Sequence, residues 1–326
     1  MYPAGMSTAT DPIRPVDVVA DVVAATRRGT AVYCRALLHA PWGLQLAATP
    51  IASVHVVTGG ACWLIPDGGD PIHLAQGDVA LLPGGAAHVL ADAPGREARR
   101  IEELIGEPLD GIPSRDLVVD GDGPATSLLC GGYLLDSAPR HPLAAALPPV
   151  IHLTAAQART TGLPAAVGLL TAEVDRAQPG GPAVVTSLVD LLLVYLLRAW
   201  LADQRRECGG WVRALHDPAV SAALAVIHGD PAYSWSVASL ARAAGVPRAT
   251  FSRRFTALTG QTPMAYVTAW RMNVAARLLR EHRLSLREVS RHVGYESEFA
   301  FARAFKRTVG RAPGQYRTAD DAPECG

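Results

Sequence analysis

The C-terminal third of this chain contains the same pattern twice. Slid along itself by about fifty residues, SLARAAGVPRATFSRRFTALTGQTP (239–263) falls on EVSRHVGYESEFAFARAFKRTVGRAP (288–313), the second copy one residue longer at its turn. Gly245 meets Gly294, Phe251 meets Phe301, Arg253 meets Arg303 and Phe255 meets Phe305. Gly260-x-x-Pro263 meets Gly310-x-x-Pro313. One supersecondary unit is therefore used twice, which constrains the fold more than any composition statistic.

Each copy reads as helix, glycine turn, helix. Leu240, Ala241 and Ala244 share one face before Gly245, and Phe251, Phe255 and Leu258 line the helix after it. In the second copy Ser285 and Glu288 have the spacing of a capping box, Ser297 can cap the next helix, and Phe301, Ala304 and Phe305 form its inner face. Gly260 and Gly310 suit the left-handed residue after a helix, and Pro263 and Pro313 the first turn of the next. The rings thus belong to a core and the cations to the opposite face, the face that a helix-turn-helix lays in the DNA major groove. Between the copies, PMAYVTAWRMNVAARLLR (263–280) predicts a helix of roughly 27 Å at about 1.5 Å per residue. That length suits two recognition helices set near one DNA turn apart.

WRMNVAARLL, VGYESEFAFARAFKRTVGRAPGQYR and FSRRF…TGQTPMAYV resemble the AraC/XylS family of bacterial transcription regulators, over residues 221–317. The resemblance implies contacts to double-stranded DNA from Arg248, Ala249, Ser252 and Arg253 in the first recognition helix. In the second it implies Glu298, Phe299, Ala300 and Arg303. Pro247 departs from the family, which commonly has a serine cap there. Chemically, Arg253 and Arg303 suit guanine edges and Glu298 a cytosine amine. Arg254, Lys306, Arg307 and Arg311 suit phosphate, which positions without specifying.

Charge divides the chain the same way. Residues 1–208 hold 14 Arg against 21 Asp and Glu, net −7, and residues 209–326 hold 16 Lys and Arg against 9 acidic residues, net +7. One half suits a polyanion. The expected domains are 11–205, a sensor or dimerisation unit, and 215–320, the DNA-binding unit, joined by the polar DQRRECGG; residues 1–15 read as a tail.

From about Ala31 to Leu135 short apolar runs (SVHVV, ACWLI, DVALLP, HVLA, TSLLC) alternate with Gly, Pro and Asp turns, predicting a β-sandwich or barrel. Helices are expected near Thr160–Ala177 and Val184–Asp203. GDVALLPGGAAH (77–88) resembles the second motif of the cupins, with His88 at its end. The first motif is eroded: His55 and Val57 occupy its two histidine positions and Ala61 or Cys62 its glutamate position. The fold class expected is therefore α+β in two domains, a cupin-like jelly roll with trailing helices followed by an all-α double helix-turn-helix.

Catalytic carry-over fails with that motif, so no enzyme activity, catalytic residue, metal or cofactor is expected. The rival is a metal-dependent cupin enzyme fused to a DNA-binding domain. His55 and His88 are candidate effector residues or hydrogen-bonded interior histidines; a soft site of His55, Cys62 and His88 is a further option. Cys34 and Cys130 are buried thiols or a redox pair, with Arg35 placed to favour a Cys34 thiolate. Five scattered cysteines without a C-x-x-C pair fit a cytoplasmic protein. No signal peptide is read, and Val184–Leu197 is short for a bilayer span and carries Asp190. The partners expected are promoter DNA, a small-molecule effector, RNA polymerase and a second copy, but no membrane; helix 184–203 either pairs with its twin, as the family resemblance implies, or covers the barrel.

Overall fold

The structure, a computed structural model, describes residues 18, 20, 21, 27–105, 115–135, 147–176, 178–203, 210–281 and 284–321. The expected tail at 1–15 and most of the DQRRECGG linker lie outside them. The chain divides into two compact units, Val23–Val212 and Arg213–Gly326, the latter together with Met1–Val22.

In the first unit, β1 (Arg27–His39), β3 (Ile51–Gly59), β6 (Val79–Leu82), β9 (Arg115–Val119), β10 (Ala125–Leu135) and β11 (Ile151–Leu153) build a six-stranded sheet in the order β11-β6-β3-β10-β1-β9. A second sheet, β5-β4-β7-β2-β8, comprises β2 (Gly43–Leu46), β4 (Ala61–Pro66), β5 (Ile72–Ala75), β7 (His88–Ala91) and β8 (Arg99–Arg100). All five apolar runs read from the sequence are strands: β3, β4, β6, β7 and β10. Alternation sends Leu38, Val57 and Leu128 of the first sheet and Leu64, Leu74 and Leu90 of the second into one core, each essentially inaccessible to water. A short helix α1 (Ile101–Ile105) adds Ile101 to it.

The opposite face of the large sheet, with Val54, Val56 and Leu129, is covered by helices. After α2 (Ala155–Ala158) come α3 (Leu163–Arg176) and α4 (Gly181–Asp203), near the expected bounds. At 23 residues α4 is longer than the apolar run Val184–Leu197 suggested, and by length and composition it reaches the size of a membrane span. It buries Val185, Val189, Leu192, Leu193 and Leu196 within this unit. Asp78 in the Gly77-Asp78 turn accepts from the Ala75 and Ala155 amides and the His152 ring, so this buried carboxylate fastens the turn to α2.

The second unit is helical: α5 (Trp211–His216, which begins at the boundary), α6 (Pro218–Gly229), α7 (Val237–Ala243), α8 (Arg248–Thr259), α9 (Pro263–Glu281), α10 (Leu286–His292), α11 (Glu298–Val309) and α12 (Pro313–Asp321). The Ser285–Glu288 capping box forms, Ser297 caps α11, and Pro247 leaves α8 without a side-chain cap. Gly260 (φ 74°) and Gly310 (φ 84°) are left-handed, as the repeat requires. Each copy owns a chain of three rings. Phe251 meets Phe255 at 5.5 Å and Phe255 meets Tyr266 edge-on at 5.7 Å; Phe301 meets Phe305 at 5.7 Å and Phe305 meets Tyr316 at 5.4 Å.

These rings predict a clear stability effect. Phe255→Ala or Phe305→Ala should cost about 3–5 kcal/mol, measured by denaturant unfolding with a probe in this unit. A Phe305→Ala protein of normal stability that lost only base preference would place that ring outside the core.

Candidate nucleic-acid interface and sensor cavity

The helical period that buries Phe251 and Phe255 turns Arg248, Ala249 and Arg253 outward, with Ser252 half-buried. In α11 burial of Phe301, Ala304, Phe305 and Val309 leaves Glu298, Phe299, Ala300, Arg303, Lys306 and Arg307 exposed, Phe299 at 78%. Arg311 is exposed just beyond. No ion pair joins Arg248, Arg253, Arg303 or Lys306 to another described residue. Arg254 differs from the expectation: its guanidinium is paired with Asp217, the side chain that also caps α6 through the Ala219 and Val220 amides. That pair ties α8 to the cap of α6 while the Arg254 side chain stays half exposed.

Sequence reasoning missed what sets the second turn in place. Arg271 of α9 donates to the Pro231 and Tyr233 carbonyls and lies 5.7 Å over the Tyr295 ring. Gly294 sits so close that a Cβ there would come within 2.5 Å of the Ala232 oxygen. His228 is likewise buried, stacked on Trp270 at 3.8 Å, with Tyr266 at its Nε2 and Asp21 at its Nδ1.

In the first unit the candidate sensor residues converge. Cys34 on β1 stands directly opposite Cys130 on β10, and Cys130 opposite His55 on β3. His55 and His88 are buried at 1% and 3% exposure. His55 Nδ1 lies 3.1 Å from the Cys130 sulfur, His55 Nε2 lies 2.8 Å from His88 Nε2, and His88 Nδ1 lies 2.8 Å from the Ala86 carbonyl. That carbonyl can only accept, so a neutral His88 carries its proton on Nδ1 and accepts at Nε2. His55 then donates from Nε2 and accepts at Nδ1, which makes Cys130 S–H the donor at the head of the chain. Burial lowers the His55 pKa well below its ordinary value, helped by the neighbouring His88, and burial lowers that of His88. Burial also raises the Cys130 thiol well above its ordinary value, with Cys34 and Cys62 adding to it. The resting chain is neutral throughout.

Cys34, His55 and Cys130 face an apolar cleft, with Ala36, Leu44, Leu46, Ile51, Leu90, Leu117 and Leu128 among its walls. The space inside it open to a water-sized molecule is ≈ 80 Å³, so it is a narrow cleft. Two sequence expectations are corrected here. Arg35 is paired with Asp116, and burial, with Asp116 adding to it, raises the Cys34 thiol instead of favouring its thiolate. Cys62 lies opposite Leu74, whereas His88 lies opposite Pro66, so the soft site of His55, Cys62 and His88 is not assembled; burial pushes Cys62 up to about 12.

The cupin fold raises the question of a metal. His55 and His88 spend one nitrogen each on the other and their second nitrogens on Cys130 and Ala86. Val57 offers no donor, and no cluster of three suitable ligands exists among the described residues. The residues present do not fit a metal centre.

Two exposed helix faces on duplicated helix-turn-helix units and an apolar cleft in a two-sheet unit fit a DNA-binding regulator with an attached sensor-like domain. Comparison with known proteins agrees. A cupin family model matches residues 17–202 and a helix-turn-helix domain model residues 240–319. The chain is 34% identical over 283 residues, 86% of this chain and 91% of the other, to an AraC-like transcription regulator of Streptomyces lividans. It is 30% identical to the transcriptional regulator AlkR of Acinetobacter baylyi over 85% of this chain and 90% of that protein. The RCS-specific transcriptional activator RclR of Escherichia coli is 28% identical over 86% and 90%. The DNA-binding domain of AdpA, solved in complex with a target DNA, is 33% identical, covering 32% of this chain and 92% of that one with a TM-score of 0.30. This chain belongs to the AraC-like transcription regulators, with an N-terminal cupin domain and a C-terminal helix-turn-helix DNA-binding domain.

The buried histidines give a pH prediction. A neutral buried His has a folded pKa below the unfolded value near 6.5. Below that pH the unfolded chain takes up protons that the folded chain refuses, and stability falls by up to about 1.4 kcal/mol per pH unit for each such His until the folded pKa is reached. The cupin unit should therefore lose stability from about pH 6.5 downward, and His55→Gln/His88→Gln should flatten that slope relative to the parent. Equal slopes in urea titrations would show both rings charged in the native state.

Proposed function

We propose that this protein is a cytoplasmic, sequence-specific regulator that holds promoter DNA with α8 and α11 and is tuned by an effector in the cupin cleft, without enzyme activity of its own. One observation carries the DNA half: the duplicated aromatic cores leave two equivalent helix faces exposed, with cations that the described residues do not neutralise. Arg253 and Arg303 read guanine edges, Glu298 accepts from cytosine, and Ala249, Phe299 and Ala300 offer apolar surface to thymine methyls. Arg248, Ser252, Lys306, Arg307 and Arg311 hold phosphate or sugar. The functional division follows 11–205 and 215–320. A second copy docks through the exposed Val184 and Leu191 of α4, and RNA polymerase contact completes the response; no membrane is involved.

The test is quantitative. Arg303→Ala should weaken operator binding by about 1–3 kcal/mol and relax preference at one base pair, while Lys306→Ala should weaken all sequences alike and flatten the salt dependence. Operators selected from genomic fragments and titrated by fluorescence anisotropy read both effects. Binding unchanged by Arg303→Ala would mean that the recognition helix is misassigned.

A second reading of the sensor has its own support. Opposed residues of antiparallel strands have Cα atoms about 4.5–5.5 Å apart, inside the range a disulfide needs, and Cys34 opposes Cys130. In this reading an oxidant closes that bridge. Mild oxidant should then change operator affinity reversibly, and Cys34→Ser and Cys130→Ser should each abolish the response. Persistence of the response in Cys34→Ser would exclude the bridge.

A further inference from the structure

We propose that Cys130 is a covalent capture site for an apolar electrophile of the α,β-unsaturated carbonyl class, which enters the cupin cleft and is fixed as a thioether with His55 as the base. The proposal rests on the sensor reading above and names the chemistry by which that site would respond.

Three observations lead to it. The Cys130 thiol is the donor at the head of a chain whose protons are all placed, S–H to His55 Nδ1, His55 Nε2–H to His88 Nε2, and His88 Nδ1–H to the Ala86 carbonyl. The acceptor bonded to the sulfur is therefore a ring nitrogen free to take its proton. Second, this thiol lines a cleft whose other walls are mainly aliphatic, a surface that retains an apolar molecule and gains little from a charged one. Thr49 adds a hydroxyl to the same walls that accepts from the Ile51 amide and keeps its own hydrogen for a carbonyl oxygen, while the Ser53 hydroxyl donates to the Ile51 carbonyl. Third, the groups around the relay are the thiols of Cys34 on β1 and Cys62 on β4, and burial holds both toward their neutral forms. Asp116 acts on Cys34 and Asp78 on Cys62, and among the described residues no carboxylate or cation hydrogen-bonds His55.

The step balances without an oxidant or co-reactant. The sulfur lone pair attacks the β-carbon as the thiol proton moves to His55 Nδ1, and the π pair of the C=C bond shifts to the α-carbon as enolate. That carbon takes the proton back from His55. One S–H and one C=C bond become one C–S and one C–H bond, and the relay returns to its neutral state. The second histidine positions the first: with His88 Nε2 accepting, the His55 proton is held on Nε2 and Nδ1 stays free.

The experiment uses the reduced full-length chain, oxygen excluded, with the apolar enone 3-octen-2-one as probe and acrylamide as polar control. Peptide mass spectrometry should find one enone on Cys130 before any other cysteine, at least tenfold faster than in urea-unfolded protein, with no such preference for acrylamide. A thiol that reacts only as free thiolate slows about tenfold per pH unit below its pKa. Cys130, served by a neutral base, should instead hold its rate within about twofold from pH 8 to pH 6. His55→Gln should slow it and restore the steep dependence, a change of profile that mere loss of packing would not give. Should that variant fail to fold, the wild-type profile decides alone. In the reduced, oxygen-free chain no Cys34–Cys130 bridge can form, so an adduct on Cys130 there separates capture from the disulfide.

A Cys130 rate no faster than in urea, or one that falls tenfold per unit, overturns the proposal. Operator affinity is read separately on the adduct. Adduct formation with unchanged affinity overturns the sensor reading and the regulatory role with it, whereas absent adduct with intact operator binding overturns capture alone.

Discussion

The three-ring chain, built twice, is the contact on which the DNA-binding half depends. Phe251, Phe255 and Tyr266, and their counterparts Phe301, Phe305 and Tyr316, are spaced so that two rings lie on one helix and the third on the next. Burying them fixes the rotation of α8 and α11 about their own axes. Once that rotation is set, positions 248, 249 and 253 and positions 298, 299, 303 and 306 have nowhere to go but outward. The exposed face is therefore a consequence of the core: to re-aim Arg303, a variant would first have to unseat Phe305. The surrounding bonds serve the same end. Arg271 and the tight approach at Gly294 hold the second turn, and the Asp217–Arg254 pair ties α6 to α8.

The cupin half solves a different problem, the burial of polar groups. Hydrogen-bonded neutral groups inside a protein cost little, while unpaired or charged ones cost several kcal/mol. Asp78 meets this by accepting from two amides and a ring. His55, His88 and Cys130 meet it by forming one directed chain that ends on a backbone carbonyl. The cupin frame thus keeps its two inward histidines while Val57 and Cys62 fill the remaining motif positions with buried, poorly donating side chains. What remains is a container with one polar wall.

Local patterns were legible in the sequence and cross-strand ones were not. A helix places its partners three and four residues away, so the repeat, the capping box at Ser285, the left-handed glycines and the inner phenylalanines could all be read directly. Tyr266 and Tyr316 were passed over because they join the rings from a neighbouring helix. Strand existence followed from the runs SVHVV to TSLLC, but β pairing joins residues 75 and 96 positions apart, as in Cys130 with His55 and with Cys34. No spacing rule reports such a partner, so the sequence grouped His55 with Cys62 and His88 and set Cys130 only beside Cys34. Arg35 misled for a related reason: neighbours along a strand point to opposite faces, so the cation adjacent in sequence is remote in effect. Arg254 misled because a cation on an exposed helix face carries no sign of the carboxylate that waits 37 residues upstream.

The charge division bears on how the two halves can act together. A net of −7 on residues 1–208 opposes close approach of the cupin half to DNA, while +7 on residues 209–326 draws the other half in. Salt weakens both effects together, so operator affinity depends on ionic strength through the DNA-binding half alone only if the cupin half stays away from the phosphates. An effector inside a neutral, apolar cleft changes none of these charges. It can alter operator affinity only by favouring one arrangement of the protein over another, by as much as its own affinity differs between them. A thioether would keep the ligand in place in either arrangement, so the shift would reach that difference at any ligand concentration without exceeding it.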